Sequence, residues 1–124
     1  MKCICRCFLL ISTLFVMSPP AFSDEKLTAG DASAGKITFD HLCLYCHTNN
    51  EDNTIGPSLE GIGERRSAAW LNDWLKSPRD MIQKDEDAMD VRDNSKYNME
   101  MPTLPIMQDD VKRADVIAYL LTSF

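Results

Sequence analysis

Glycine and histidine are scarce in this 124-residue chain, with five of the first and two of the second. So few glycines, without a Gly-X-Y period, exclude a collagen-like fibre, and no sustained heptad pattern points to a coiled coil. Basic residues are the minority, 13 Lys and Arg against 19 Asp and Glu for a net charge of −6, so the clustered positive footprint of a nucleic-acid binder is missing. A hydrophobic share of 44% is too high for a disordered chain. No apolar run reaches the length of a membrane span. The clearest, Phe8 to Met17, covers ten residues, about 15 Å of helix against the ~30 Å of a hydrocarbon core. What remains is one small domain.

That run is informative in its own right. Lys2 and Arg6 give it a positive n-region, and Ala21-Phe22-Ser23 follows with small residues where a signal peptidase reads them. The pattern predicts a signal peptide over 1–23, cleaved after Ser23, and a mature domain over 24–124. The competing reading is an uncleaved anchor, should the run extend at both ends. Without Lys2 and Arg6, eleven basic residues face nineteen acidic ones, a mature net of −8. Cys3, Cys5 and Cys7 lie in the n-region and leave with it. Cys43 and Cys46 remain, in a chain bound for an oxidising compartment. A disulfide between residues so close together would staple almost nothing.

The mature chain reads as helices joined by punctuated loops, with no convincing strand. Asp31 caps a first helix carrying Ala32, Ile37, Phe39 and Leu42 at helical spacing and running to the cysteines. From Thr48 to Arg66 a loop rich in Asn, Gly and Pro blocks regular structure and lets backbone lie close to something flat. Ser67 caps a second helix with Trp70, Leu71, Trp74 and Leu75 on one apolar face. Pro78 opens a shorter helix with Met81 and Ile82, and the acidic run Asp85-Glu86-Asp87 reads as a solvated face. A second loop, about Asn94 to Met107, contains Pro102 and Pro105. The closing helix, about Asp109 to Leu121, turns Val116, Ile117, Tyr119, Leu120 and Leu121 to the core. The fold class is therefore all-α, with about four helices.

Chemistry concentrates in Cys43-Leu44-Tyr45-Cys46-His47. This is the C-x-x-C-H pattern of c-type haem attachment, in which two thiols add to two vinyl groups and the adjacent imidazole binds iron. Two intervening residues let the thiols straddle one porphyrin edge, and the histidine is carried under the ring. The rival readings are a thioredoxin-like dithiol, which wants a βαβ context, and half a zinc site, which wants a second Cys or His pair downstream. Neither context is present. His41, two residues before Cys43 on the same helix, cannot easily reach the opposite haem face and reads as a surface residue. With histidine exhausted, the sixth ligand is expected to be a thioether from Met81, Met89, Met99, Met101 or Met107. Met101 stands out because it precedes Pro102 in a proline-stiffened loop, which lowers the ordering cost of holding a sulfur in place. Met99 and Met107 stay as alternatives, since most methionines are core filler. A closed His/Met pair suits electron passage rather than substrate chemistry.

These residues together resemble the small monohaem cytochromes c of the His/Met-ligated, class I type, over about Gly30 to Leu121. Gly35 and Phe39 precede Cys43 in that family's G-x-x-x-F-x-x-x-C spacing, and Gly56-Pro57-Ser58-Leu59-Glu60-Gly61 is similar to its G-P-x-L-x-G loop. Arg113 to Leu120 is similar to its closing helix, and Tyr97 to Pro102 to the ligand loop of bacterial members serving respiratory chains. The resemblance implies that one covalently attached haem c is the cofactor. It also implies that the carbonyl of Pro57 receives the outer ring N–H of His47 and that Arg65, or Arg66 in its place, neutralises a haem propionate. Trp70 and Trp74 are open between donating indole N–H groups to a propionate and simple packing. Gly63-Glu64-Arg65 departs from the usual glycine directly before the arginine. The expected function is a periplasmic electron carrier between respiratory redox proteins, not an enzyme, docking on a partner of compensating positive charge. The alternatives are a dedicated haem subunit of a dehydrogenase or reductase, and an open-site haem enzyme or sensor if no methionine binds.

Overall fold

A computed structural model describes residues 29–47 and 55–124. The expected leader, its cleavage after Ser23, the domain start at residue 24 and the Asn-rich stretch 48–54 lie outside the described residues. No strand occurs among those described, and the all-α expectation holds.

Helix α1 (Ala32–Thr38) begins where the Asp31 carboxylate accepts the Ser33 and Ala34 N–H groups at 2.8 and 3.3 Å. It does not stop at Thr38. Phe39–Cys43 continues it as a wider π-helical turn, closed by Leu44 N–H to the Phe39 carbonyl at 3.0 Å. Phe39 and Cys43, four residues apart and so on one face of the turn, are both buried.

The closing helix, here called α6 (Asp110–Ser123), starts at an Asp109 cap that accepts from Val111 and Lys112. It buries Val116, Ile117 and Leu120 against Phe39, Leu71, Leu75 and Met107 in the main core. α1 and α6 cross almost in backbone contact. A Cβ at Gly35 would lie 1.9 Å from the Asp115 carbonyl oxygen, so only glycine permits the crossing. The buried Asp115 carboxylate accepts the Asp31 N–H at 2.8 Å, pinning the start of the first helix to the last. Gly35→Ala is expected to force the helices apart and lower the unfolding free energy of the haem-loaded protein by about 2 kcal/mol or more, measured by denaturant titration.

Between these two helices lie α2 (Ile62–Arg65), α3 (Ala68–Lys76), α4 (Pro78–Ile82) and α5 (Glu86–Asp93), then a 3-10 turn at Pro105–Gln108. Ser67 caps α3 through the Trp70 N–H, and Pro78 occupies the first turn of α4, both as the sequence predicts. The acidic run is the correction. Asp85 is not merely a solvated charge: its carboxylate accepts the Ala88 N–H at 2.8 Å and starts α5, whose Ala88 is fully buried beside Trp74, Met81 and Ile82. Only Glu86 and Asp87 of that run face outward.

Arg113 is a second correction to the simple picture of an apolar closing face. It is 3% exposed, and its guanidinium donates to Asn72 on α3 at 2.7 Å, to the Met107 carbonyl at 2.6 Å and to Asp110. This satisfied charge ties α3, the 3-10 turn and α6 together beneath the loop that carries Met99 and Met101.

Candidate functional site

The helices enclose a largely apolar cavity of about 410 Å³. The π turn after α1 and the residues that follow it supply one wall through Cys43, Cys46 and His47, and the returning loop supplies another through Met99, Met101 and Pro102. Residues distant in sequence thus meet around one space because α1 and the loop pack on the same α6 core.

After the π turn, Cys46 and His47 both donate their N–H groups to the Cys43 carbonyl, at 3.0 and 2.8 Å. This tight turn brings the two cysteines and the histidine to a single wall. Cys43 is buried and Cys46 half-buried, both as free thiols. Burial, aided by the nearby Cys46, pushes the Cys43 thiol up to about 11. A reactive redox dithiol needs a depressed value, so a thioredoxin-like role finds no support here. Among the described residues, no three His, Cys, Asp or Glu side chains gather to hold a metal ion, and the zinc reading has no partner ligands.

The His47 Nδ1 lies 3.0 Å from the Pro57 carbonyl oxygen. A carbonyl only accepts, so Nδ1 carries the proton and Nε2 keeps its lone pair for a metal. Burial holds the imidazole below its ordinary titration range, against the opposing pull of the Pro57 bond, and so favours the neutral ring. Gly56 makes this arrangement possible: a Cβ there would fall 2.5 Å from His47 Cε1. The flat object that the glycine-bearing loop approaches is therefore the histidine ring, a detail that composition alone does not reveal.

The five candidate methionines separate cleanly. Met107 is fully buried in the main core, Met81 is buried in the second cluster and Met89 packs against that cluster. Met99 and Met101 line the cavity. Met99 is 54% exposed, whereas Met101 is half-buried and packs against both core clusters. Asn98, at φ +51°, makes the left-handed turn that sends this segment from α5 into the cavity wall.

Arg65 and Arg66 both line the cavity but are held differently. Arg65 donates Nη2 to the Ser58 carbonyl at 3.1 Å and stays exposed. Arg66 stacks 4.9 Å over Trp70 and faces Asp87 at 3.5 Å. Trp70 and Trp74 stack at 5.3 Å between ring centroids, which agrees with the packing reading. Their N–H groups have protein acceptors: Trp70 Nε1 donates to Asp85 at 3.2 Å, and Trp74 Nε1 to the Met101 sulfur at 3.2 Å. The sequence offers no local signal for either bond, since each joins residues from separate elements.

Two thiols and an unprotonated ring nitrogen at one wall of an apolar slot fit a covalently held haem, and a thioether lines the same slot. Known proteins point the same way. Residues 32–124 match the profile of the cytochrome c family. A cytochrome c-553-like protein of Synechocystis sp. is 40% identical over 57 residues, 46% of this chain and 54% of that protein. Cytochrome c of Tetrahymena pyriformis is 32% identical over 108 residues, 82% of this chain and 96% of its own length. Cytochrome c2 of Rhodopila globiformis is 32% identical over 104 residues, covering 75% and 93%. The chain spans about half the length of the Synechocystis protein and 26% of the cytochrome c-type cyt cy of Rhodobacter capsulatus. No solved structure matches significantly. Taken with the donor set around the cavity, the match over nearly all of the described chain places it in the cytochrome c family, with one covalently bound c-type haem as its cofactor.

Proposed function

We propose that this chain is an exported electron carrier, freed of residues 1–23 and working as a 24–124 domain in the periplasm between respiratory redox proteins. The observation that carries the reading is the meeting of Cys43, Cys46 and His47 with Met101 around one cavity. When bound, the haem supplies a reversible one-electron couple. The chain does the rest. Cys43 and Cys46 would hold the ring through thioether bonds formed by adding each S–H across a vinyl group, and His47, oriented by Pro57, would offer Nε2 to the iron. Met101 would offer its sulfur as a second ligand, and an iron so held would have no position left for a substrate. Arg65 sits at the cavity wall and is the candidate partner for a propionate. No described helix is long and apolar enough to cross a membrane.

Exposed acids on and around α5, namely Asp80, Glu86 and Asp90, present negative charge for a positively charged docking surface, while Asp87 and Asp93 are offset by Arg66 and Arg92. The test is a potentiometric titration of the exported, matured protein with visible spectra. A single reversible one-electron transition is expected, with a weak far-red band in the ferric form reporting sulfur ligation. Electron exchange with a basic redox protein should slow several-fold on raising salt from ~0.01 to ~0.15 M, where the screening length shrinks from about 30 to 8 Å. A ferrous form that binds carbon monoxide readily would replace the carrier reading by an open-site one.

A further inference from the structure

Of the charged side chains among the described residues, only Arg113 and Asp115 are buried. Asp115 has its task at the crossing of α1 on α6. Arg113 stands where local physics disfavours a cation: it is almost wholly out of water, and it lies in the opening turn of α6, at the positive end of that helix. Acceptors from separate elements hold it there. Nε donates to Asn72 on α3 at 2.7 Å, Nη1 to the Met107 carbonyl at 2.6 Å, and Nη2 to Asp110. Met107 ends the loop that returns from α5, so the guanidinium fastens that end to α3. One residue on, Gln108 Nε2 donates to the Lys76 carbonyl at 2.8 Å, a second tie between the same two segments, this one in solvent. Residues 98–104 form no regular element, and the pairing of Glu100 with the exposed Arg79, at 3.5 Å, adds little to their hold.

We propose that Arg113 is the positioning residue of the ligand loop, which by clasping the Met107 carbonyl to α3 sets how often Met101 leaves the cavity. The inference rests on Met101 being an axial ligand. With the return point of the loop fixed, residues 98–104 gain little freedom when the thioether lets go, so the sulfur falls back before an external ligand enters. A larger opening has to free the 3-10 turn, and it then strips an acceptor from a buried cation that water reaches poorly. That cost falls on the open state alone. Gln108 acts in the same direction with a smaller share, because at the surface water replaces a lost partner.

Imidazole is the probe. Its uptake by the matured ferric protein is followed by stopped-flow absorbance at saturating concentration, where release of Met101 limits the rate. Arg113→Met is expected to raise that rate about ten- to a hundredfold, the range for a hydrogen bond to a charged group. Ile117→Val lies on the same helix, in the main core and off the cavity wall; it weakens the fold elsewhere and should leave the rate unchanged. Denaturant titration of each variant supplies the stability scale. A rate that rises equally per loss of stability in both variants, or does not rise in Arg113→Met, overturns the proposal and leaves Arg113 a structural bridge. Should Arg113→Met fail to mature, Gln108→Ala decides: a rate raised about two- to tenfold upholds the clasp, and an unchanged rate removes it. A missing far-red band in the unaltered ferric protein instead defeats the Met101 reading on which the proposal stands.

Discussion

Cys43→Ser with Cys46→Ser is expected to yield exported protein of bare peptide mass that loses its pigment on acid–organic extraction and does not hold its tertiary fold. The size of the space that the haem fills makes this the largest effect. Without the ring, the apolar side chains around about 410 Å³ would lose their packing partner, and several of them at ~1.5–3 kcal/mol each rival the stability of a typical domain. The described cores cannot compensate, because Phe39, Leu71, Leu75 and Leu120 pack around the cavity rather than through it. Mass spectrometry reads the attachment, and near-ultraviolet circular dichroism reads the packing. A double-serine chain that remains folded without pigment would show that the porphyrin is not part of the core.

Met101→Ala carries the second largest effect. Its product should lose the far-red ferric band, take up carbon monoxide stoichiometrically when reduced, and show a markedly lower potential, whereas Met99→Ala should do none of these. The two residues line the same cavity but differ in how they are held. Met99 is 54% exposed, while Met101 packs on both clusters and accepts the Trp74 N–H. Truncating the half-buried Met101 should also lower stability by about 2 kcal/mol. Spectra of both variants under carbon monoxide separate the outcomes. Reversal of the pattern, with Met99→Ala opening the site, would move the ligand by one turn of the loop.

Local chemistry was readable in the chain because it is written locally. The attachment pentapeptide places its two thiols and imidazole within five consecutive residues, so their shared wall follows from one tight turn. Helix caps at Asp31 and Ser67 are likewise short-range, each a side chain accepting N–H groups two or three residues ahead. Gly35 and the Gly56-Pro57 pair were legible through resemblance alone, since the atoms they approach belong to α6 and to His47. Helix α5 escaped notice because its acidic sequence shows only a faint apolar period, and its start depends on Asp85 acting as a cap.

From the sequence one can deduce a small helical domain, a covalent haem anchor and a shortlist of methionines. The sequence already favours Met101 through the proline that follows it; the packed chain adds where each candidate sits, with Met107 and Met81 in the cores, Met99 largely in solvent, and Met101 at the cavity wall against an indole from α3. The same division separates Arg65, held by the Ser58 carbonyl, from Arg66, stacked on Trp70. The physical reason is one of range. Bond chemistry and capping act over a few residues, whereas the assignment of a side chain to core, surface or cofactor depends on which distant segments arrive beside it, and only the completed crossing of α1 on α6 decides that.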